Sequence, residues 1–331
     1  MKNKKVSIII VTFNSEKWIK NCLDSIKKQN FNVFEIIIVD NDSKDKTLDI
    51  LKEYISLKII KNKQNLGFAT ANNQGIKLAK GEYILFLNPD VRLSKNCADN
   101  LVKKINQNYK IGFVTPKLVK SWNPKIIDST GVQATKSRRF IERGLESVDS
   151  KQYDQESNIF AGSGAALLFR KETLEDIKIN NEYFDEDFFC YKEDIDLCWR
   201  ARLKCWEGIY VPEAIAYHSR GHGLEPLNNF SRLFNRLKIK KSSTFIQIRR
   251  WSFRNNIFLI LKNDSLKYFI IDLPFILSFW IPALFYYLIF EPYVYLEIPN
   301  IIKLTPKMLI KRRLIQKSKK INQKELREYF K

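Results

Sequence analysis

The sequence predicts an α/β fold, a mostly parallel sheet with helices on both faces, followed by a basic and apolar helical region. Three observations predict it. β-Branched apolar runs alternate with helix-period stretches through the first 115 residues. Four apolar runs end in acidic or polar clusters. Composition then changes in the last hundred residues. The four clusters are Asp40-Asn41-Asp42 after residues 36–39, Asn88-Pro89-Asp90 after 83–87, Glu193-Asp194 after Phe188-Phe189-Cys190-Tyr191, and Tyr217-His218 beyond 209–211. In an open α/β sheet ligands lie outside the carboxyl ends of the strands, so such clusters face a ligand rather than a core.

Residues 6–11 form a β-branched run that ends at Thr12-Phe13-Asn14-Ser15 and reads as a buried first strand. Asn14 or Ser15 then caps a helix with Trp18, Ile19, Cys22, Leu23 and Ile26 on one face. Strands are predicted over 34–39, 57–60, 83–87 and 113–115, and helices over 46–54, 69–79 and 98–105. Residues 117–160 are polar, basic and weakly periodic, which predicts a binding loop or lid. The sheet resumes at 165–169 after Gly162-Ser163-Gly164, and a helix is predicted over 194–204, with Ile195, Cys198, Trp199 and Arg202 on one face.

The net charge of +21 is unevenly placed. Residues 1–230 carry 36 Lys and Arg against 30 Asp and Glu; residues 231–331 carry 21 against 6. An anionic partner is therefore expected for the last third alone. That third contains a basic helix at 249–262, an apolar stretch at 268–290 and a basic amphipathic stretch at 307–331. Its charge-free part, Leu273–Phe290, would be roughly 27 Å long as a helix, near the lower limit for a membrane span. Pro274, Pro282 and the basic flanks (Lys262, Lys267, Lys303, Lys307, Lys311) favour an interfacial or re-entrant helix over a simple crossing, with a span or a soluble packed helix as alternatives. Two domains are thus expected: residues 1–230, with a nucleotide-sugar half to about 117 and an acceptor half beyond, and residues 231–331. Five cysteines without a C-x-x-C pair point to a reducing compartment, and residues 1–6 lack a signal peptide's apolar stretch, so the cytoplasmic face is expected.

Each cluster has a bland reading beside a chemical one. Asp40 at a strand end suits the N3–H of a uracil or thymine ring, or simply a turn. Asn65-Leu66-Gly67 opens a helix that continues through Asn73, and amides there suit a pyrophosphate. Asp90 offers a hard oxygen to a divalent cation, with Asn88 beside it as an amide ligand or supporting group, against the alternative of a proline turn. Glu193, Asp194 and Asp196 stand at a helix start, where acids are favoured anyway, but successive positions diverge by about 100°. Asp194, after an aromatic run, suits a general base. His218 and His222 are the only histidines, and His218 could complete the Asp90 site.

Together, Val6-Ser7-Ile8-Ile9-Ile10-Val11-Thr12-Phe13-Asn14-Ser15, Val39-Asp40-Asn41-Asp42-Ser43, Asn65-Leu66-Gly67-Phe68-Ala69, Leu87-Asn88-Pro89-Asp90-Val91, Phe184-Asp185-Glu186-Asp187-Phe188-Phe189 and Glu193-Asp194-Ile195-Asp196-Leu197-Cys198-Trp199-Arg200-Ala201-Arg202 resemble family 2 glycosyltransferases of the GT-A fold, in particular the bacterial rhamnosyltransferase-like branch. The resemblance covers about residues 5–222. It implies inverting transfer from a nucleotide-diphosphate sugar, a dTDP- or UDP-sugar, with Mg²⁺ or Mn²⁺. Thr12, Asn14 and Asp40 would hold the base and ribose, with Asp42 nearby; Asp90 and His218 would hold the cation; Asp194 would be the base. Asn65, Gly67, Asn73 and Asn88 are the further donor-side positions. Where the family's metal motif often reads D-x-D, the first position here is Asn88. The tail resembles those that attach such enzymes to the cytosolic membrane face, with lipid-linked saccharides as acceptors in O-antigen or capsule-type polysaccharide synthesis. A nucleotidyltransferase would want a basic, Gly-rich signature after the first strand, which Thr12-Phe13-Asn14-Ser15 lacks. Nucleic-acid binding by the basic tail fits its prolines and aliphatic runs poorly.

Overall fold

The computed structural model describes residues 6–30, 34–220 and 242–331. His222 and the expected boundary at residue 230 lie outside the described residues. The strands are β1 (Val6–Thr12), β2 (Phe34–Asp40), β3 (Leu57–Lys61), β4 (Tyr83–Leu87), β5 (Val91–Leu93), β6 (Ile111–Lys120), β7 (Asn123–Ser129), β8 (Val132–Ala134), β9 (Phe140–Glu142), β10 (Ser157–Asn158), β11 (Ala166–Arg170) and β12 (Glu207–His218). The helices are α1 (Ile19–Lys27), α2 (Thr47–Lys52), α3 (Gly67–Leu78), α4 (Cys97–Gln107), α5 (Lys171–Asp176), α6 (Glu193–Leu203), α7 (Ser243–Asn263), α8 (Leu266–Ile271), α9 (Leu273–Phe290), α10 (Ile298–Ser318) and α11 (Gln323–Arg327).

Among the described residues one ten-stranded sheet runs β10-β12-β6-β11-β4-β1-β2-β3, with β5 on β12 and β7 on β6. The expected parallel pairing holds for β3-β2-β1-β4 and again for β6 with β12. β11 lies antiparallel between β4 and β6, so the sheet is mixed. Alternation along β1 sends Ile8 and Ile10 into one core and Ile9 and Val11 into another, the mark of a strand covered on both faces.

The predicted lid at 117–160 is built around short strands. β6 continues to Lys120, β7 folds back on it, and β8 pairs with β9. Short strands and register shifts at Leu118/Val119 and Val119/Lys120 blur the two-residue period that would have shown this in sequence. Two of the basic residues here are paired within the segment: Lys117 with Asp149 and Asp154, Lys120 with Asp128 and Glu146. β12 is longer than predicted, because Pro212 and Glu213 fall at a shift in its pairing with β6 that leaves the strand unbroken to His218.

The last third joins the main core. Phe258 and Leu259 of α7, with Met308 and Ile315 of α10, are buried in the same cluster as Trp199, Phe113 and Ile9. A buried ion cluster fastens this packing. Lys262 contacts Asp185 and reaches Asp196 at 2.9 Å; Lys311 contacts Asp185 and reaches Asp187 at 2.7 Å. Asp196 also pairs with Arg200 at 2.9 Å and accepts from Asn263 Nδ2 at 2.8 Å. The α9 helix behaves differently: only Ile276 along it is buried.

Removing one cation from a buried cluster leaves its carboxylates short of compensating charge, which outweighs the lost attraction. Lys262→Ala is therefore expected to cost about 3–5 kcal/mol, read as a fall in midpoint under chemical denaturation. A change below about 1 kcal/mol, the value typical of a surface pair, would contradict the burial of this cluster.

Candidate active site

The carboxyl ends of β1 and β2 meet in register, Thr12 opposite Asp40. Thr12 Oγ1 donates to Asp40 Oδ1 at 2.8 Å, Ser43 Oγ donates to the same oxygen at 2.6 Å, and the Ser43 amide donates to Oδ2 at 3.0 Å. Thr12 is fully enclosed, so it orients Asp40 rather than presenting its own hydroxyl to a ligand. Three donors on two oxygens leave Asp40 one acceptor direction. Asn14 (φ 50°) and Asp42 (φ 67°) turn the chain out of this corner, and the Asn14 amide donates to Ser43 Oγ at 2.9 Å. Phe13 is exposed beside them, a flat face that the sequence reading passed over.

Part of the expected pyrophosphate site is used otherwise. The Gly67 amide donates to Asn65 Oδ1 at 2.9 Å and the Ala69 amide to the Phe189 carbonyl at 3.1 Å, so two amides at the start of α3 are spent on protein. Gly67 is needed because its φ is +85° and a Cβ would stand 2.6 Å from the Phe189 ring. Asn73 turns inward: Nδ2 donates to the Phe184 carbonyl (2.8 Å) and to Glu186 Oε1 (3.0 Å), and Oδ1 accepts the Phe184 amide (2.8 Å). Both its amide hydrogens are used, which corrects its assignment as a donor-binding residue. Asn65 and Asn73 thus serve the loops around the cleft.

Asp90 and His218 do come together. The β5–β12 pairing sets His218 opposite Val91, and His218 Nε2 lies 3.5 Å from Asp90 Oδ2. His218 Nδ1 hydrogen-bonds Asp128 Oδ2 at 2.8 Å. Asp128, at the end of β7, also accepts from Arg220 Nε at 2.6 Å and pairs with Lys120 at 2.8 Å. The sequence reading missed Asp128, although Ile126-Ile127-Asp128 repeats the signature of an apolar run ending in a carboxylate. Burial opposes charge on His218, but the bonds to Asp128 and Asp90 outweigh it and raise its pKa to about 9. Burial likewise opposes charge on Asp128, and His218 and Arg220 hold it well below the usual carboxylate range.

Asp194 closes the site from the other side. The β4–β11 pairing brings Asn88 beside Ala165, with the Asn88 amide donating to the Ala165 carbonyl at 2.9 Å. The preceding residue, Gly164, donates its amide to Asp194 Oδ2 at 2.8 Å; a Cβ on Gly164 would crowd that carboxylate at 3.1 Å. Asp194 Oδ1 accepts from the Ile195 amide at 2.8 Å. Burial raises the Asp194 pKa despite these bonds and nearby Lys192. Glu142, on β9, is pushed up to about 7 by burial, held down by the Ser129 hydroxyl and Arg220, and raised further by Asp194 and Asp128; it therefore lies within the field of both halves of the site. The three acids of α6 separate as their angular spacing requires. Asp196 points into the ion cluster, Glu193 is buried, and Asp194 meets the glycine loop. Two cavities, of about 490 and 710 Å³, lie elsewhere, against Arg200 and Ile315 and against Trp206 and Tyr329.

Asp90 and His218 make a fit but incomplete donor set for a divalent cation. Among the described residues no three His, Cys, Asp or Glu side chains converge on one point, so such a cation would take its other ligands from phosphate and water. Asp128 on Nδ1 is the partner that leaves Nε2 of a neutral imidazole available to metal.

A mixed sheet with its polar cleft at the carboxyl rim, two carboxylates and a histidine in it, is the architecture of GT-A transferases. The glycosyl transferase family 2 model matches residues 7–177, more than half of the chain, and the chain belongs to that family. It is 26% identical over 215 residues to a poly-beta-1,6-N-acetyl-D-glucosamine synthase of Staphylococcus epidermidis, covering 64% of this chain and 49% of that one. It is 32% identical over 107 residues to the putative glycosyltransferase EpsH of Bacillus subtilis, 31% of each chain. The chain spans about half the length of the staphylococcal relatives it matches. Among solved structures, GalNAc-T7 with UDP, GalNAc and Mn²⁺ aligns over 98% of this chain and 56% of its own (TM-score 0.63, 15% identity). Mannosyltransferase PcManGT of Pyrobaculum calidifontis with GDP-Man and Mn²⁺ aligns over 95% and 86% (TM-score 0.54, 15% identity), and S. aureus TarS 1–349 over 95% and 86% (TM-score 0.52, 20% identity). These structures establish the GT-A fold.

With Asp128 opposite it, His218 should titrate near pH 9 in metal-free protein. In Asp128→Asn that midpoint should fall by roughly 1–3 units, since burial then opposes the charge with one carboxylate fewer. Titration of the ring resonances by NMR checks this, and an unmoved midpoint would contradict the Asp128 pairing.

Proposed function

We propose that the protein is an inverting, metal-assisted glycosyltransferase that moves a sugar from a nucleoside-diphosphate donor to a lipid-linked saccharide at the cytosolic face of a membrane. One observation carries this reading: Asp90, His218, Asp128 and Asp194 meet at a single rim of the sheet, joined through Asn88, Ala165 and Gly164. The mixed sheet carries a nucleotide corner and a carboxylate pair at the same rim, which suits a donor bound across it.

The Asp40 corner, with one acceptor direction left, suits the N3–H of a uracil or thymine ring, and Phe13 offers the ring a face. Asn14 and Asp42 stand where the ribose would follow. A divalent cation held by Asp90 and His218 would offset charge on the departing diphosphate. Asp194 takes the proton of the acceptor hydroxyl as that oxygen bonds to the anomeric carbon and the bond from that carbon to the diphosphate oxygen breaks. Attack from the face opposite the leaving group inverts the centre. A raised pKa makes Asp194 a stronger proton acceptor than an ordinary aspartate, and the Gly164 amide fixes the carboxylate for the approach. UDP-N-acetylglucosamine is the first donor to try, given the product named for the staphylococcal relatives; dTDP-rhamnose is the second.

Membrane attachment is supported by α9, 6% buried across an 18-residue apolar window. Its contacts favour a helix lying along the surface. Asp272 pairs with Arg138 at 2.9 Å, Arg139 stands over the Phe279 ring, and Trp280 Nε1, near the helix midpoint, donates to the Ser137 carbonyl at 2.8 Å. A helix held to a polar loop at its middle has no room for bilayer on that side. Its other side exposes Leu277, Ile281, Leu284, Phe285, Leu288 and Ile289, with Lys267 and Lys303 exposed on the neighbouring helices.

Asp194→Asn should lose at least about 10²-fold in turnover while UDP still binds, because it removes the proton acceptor and leaves the nucleotide corner intact. Full turnover in that variant would rule out the base. Asp90→Ala should abolish the Mn²⁺-dependent part of UDP binding in calorimetry; an unchanged titration would rule out the cation site.

A further inference from the structure

We propose that α7 belongs to the catalytic apparatus, with Asn255 as a positioning residue that holds the strained segment at 189–192 and thereby sets Asp194 in the cleft. The inference rests on the reading of Asp194 as base and adds a residue from the C-terminal third, which sequence marks only as an attachment region.

The segment before α6 is the most strained stretch near the site. Phe189 (φ 63°), Tyr191 (φ 73°) and Lys192 (φ 71°) are three non-glycine residues in the left-handed region within four positions. The Cys190 amide bonds the Phe188 carbonyl at 2.7 Å with Phe189 at φ 63°, ψ −66°, which is a γ-turn of the rare, strained hand. Such backbone persists only when its surroundings over-determine it.

The face of α7 supplies those surroundings turn by turn. The Trp251 ring packs on the Phe189 ring at 4.5 Å. Arg254 Nη2 donates to the Asp187 and Phe188 carbonyls, both at 3.1 Å. Asn255, fully buried, sends Nδ2 to three carbonyls: Phe188 at 2.8 Å, Cys190 at 2.9 Å and Tyr191 at 2.8 Å. One amide group thus spans the turn and the residue before Lys192. Lys192 is the cap of α6, and Asp194 is that helix's second residue. Relaxing this path would turn the first turn of α6 and draw the carboxylate from the Gly164 amide. No other residue type of this size offers two hydrogens from one atom, and Asn255 acts through backbone without touching the reacting atoms.

The test uses the full chain with UDP-N-acetylglucosamine hydrolysis as turnover, UDP with Mn²⁺ as binding probe, and amide hydrogen exchange over 189–193. Asn255→Ala and the nearly isosteric Asn255→Asp should speed exchange there and lower kcat by about 10²-fold, with donor KM and UDP affinity within about twofold of wild type, as misplacement of a reacting group predicts. Leu101→Ala, a buried change in α4 within the other core, should lower stability and leave kcat unchanged. Wild-type exchange at 189–193, or wild-type kcat, in both Asn255 variants would overturn the proposal. If the unaltered protein turns over no donor, the transferase reading fails on its own, and the exchange comparison alone decides whether Asn255 is the clamp.

Discussion

The buried pairing of Asp185 and Asp196 with Lys262 and Lys311 is the constraint on which the rest of the molecule depends. Two carboxylates, one before α6 and one within it, are enclosed together with two ammonium groups from the C-terminal helices, and each charge is buried because the others offset it. Burial opposes the charge on Asp185, yet the two lysines hold it ionised well below the ordinary range. The sign follows directly: a carboxylate depressed in the folded state stabilises above its unfolded pKa and loses that contribution as pH falls through the folded one. Near neutral pH the cluster is fully formed. It locks α7 and α10 onto the segment that leads into α6, so the position of α6 depends on chain more than sixty residues away.

Two carboxylates in the cleft are pushed in opposite directions, Asp128 down by its charged neighbours and Asp194 up by burial. Asp128 faces His218, Arg220 and Lys120 and stays ionised, suited to orienting an imidazole. Asp194 faces backbone amides in an enclosed corner and gains proton affinity, suited to taking a proton. Separation of pKa values between nearby acids is how one site assigns distinct roles to like groups. Glu142, pushed up to about 7 by burial, feels the charge of both Asp194 and Asp128.

What could be read from sequence follows physical range. The runs into β1, β2 and β4 were legible because strands buried on both faces need unbroken apolar residues, and the carboxylates after them mark strand ends. Asp90 follows β4 in that way and His218 ends β12, whereas Asp194 follows a short 3-10 turn and a strained loop rather than a strand. The corner of β6 to β9 was not, because short strands with register shifts lose their two-residue period, and Asp128 went with them. Asn73 was misjudged because a polar residue in a helix beside a glycine turn looks the same whether it faces a phosphate or clamps a loop 111 positions away. Asn255 had no local signal at all: within a basic, apolar helix nothing in the sequence marks the residue that meets three distant carbonyls.

The opposite side of α7 gives the C-terminal third its coherence. One face grips 187–191 through Trp251, Arg254 and Asn255. The other meets the end of α9, with Phe253 against Tyr287 and Arg249 paired to Glu291 at 2.7 Å. The exposed apolar helix and the strained turn before Asp194 are therefore two contacts of one helical rod. If the apolar face of α9 rests in a bilayer, the distance from that surface to Asp194 is set by a helix rather than by a linker. An acceptor anchored in the same bilayer would then meet the carboxylate at a fixed height, and its reach would be selected by α7. A soluble acceptor would gain nothing from such a rod, so the proposed lipid-linked acceptor is the one whose approach this helix would set.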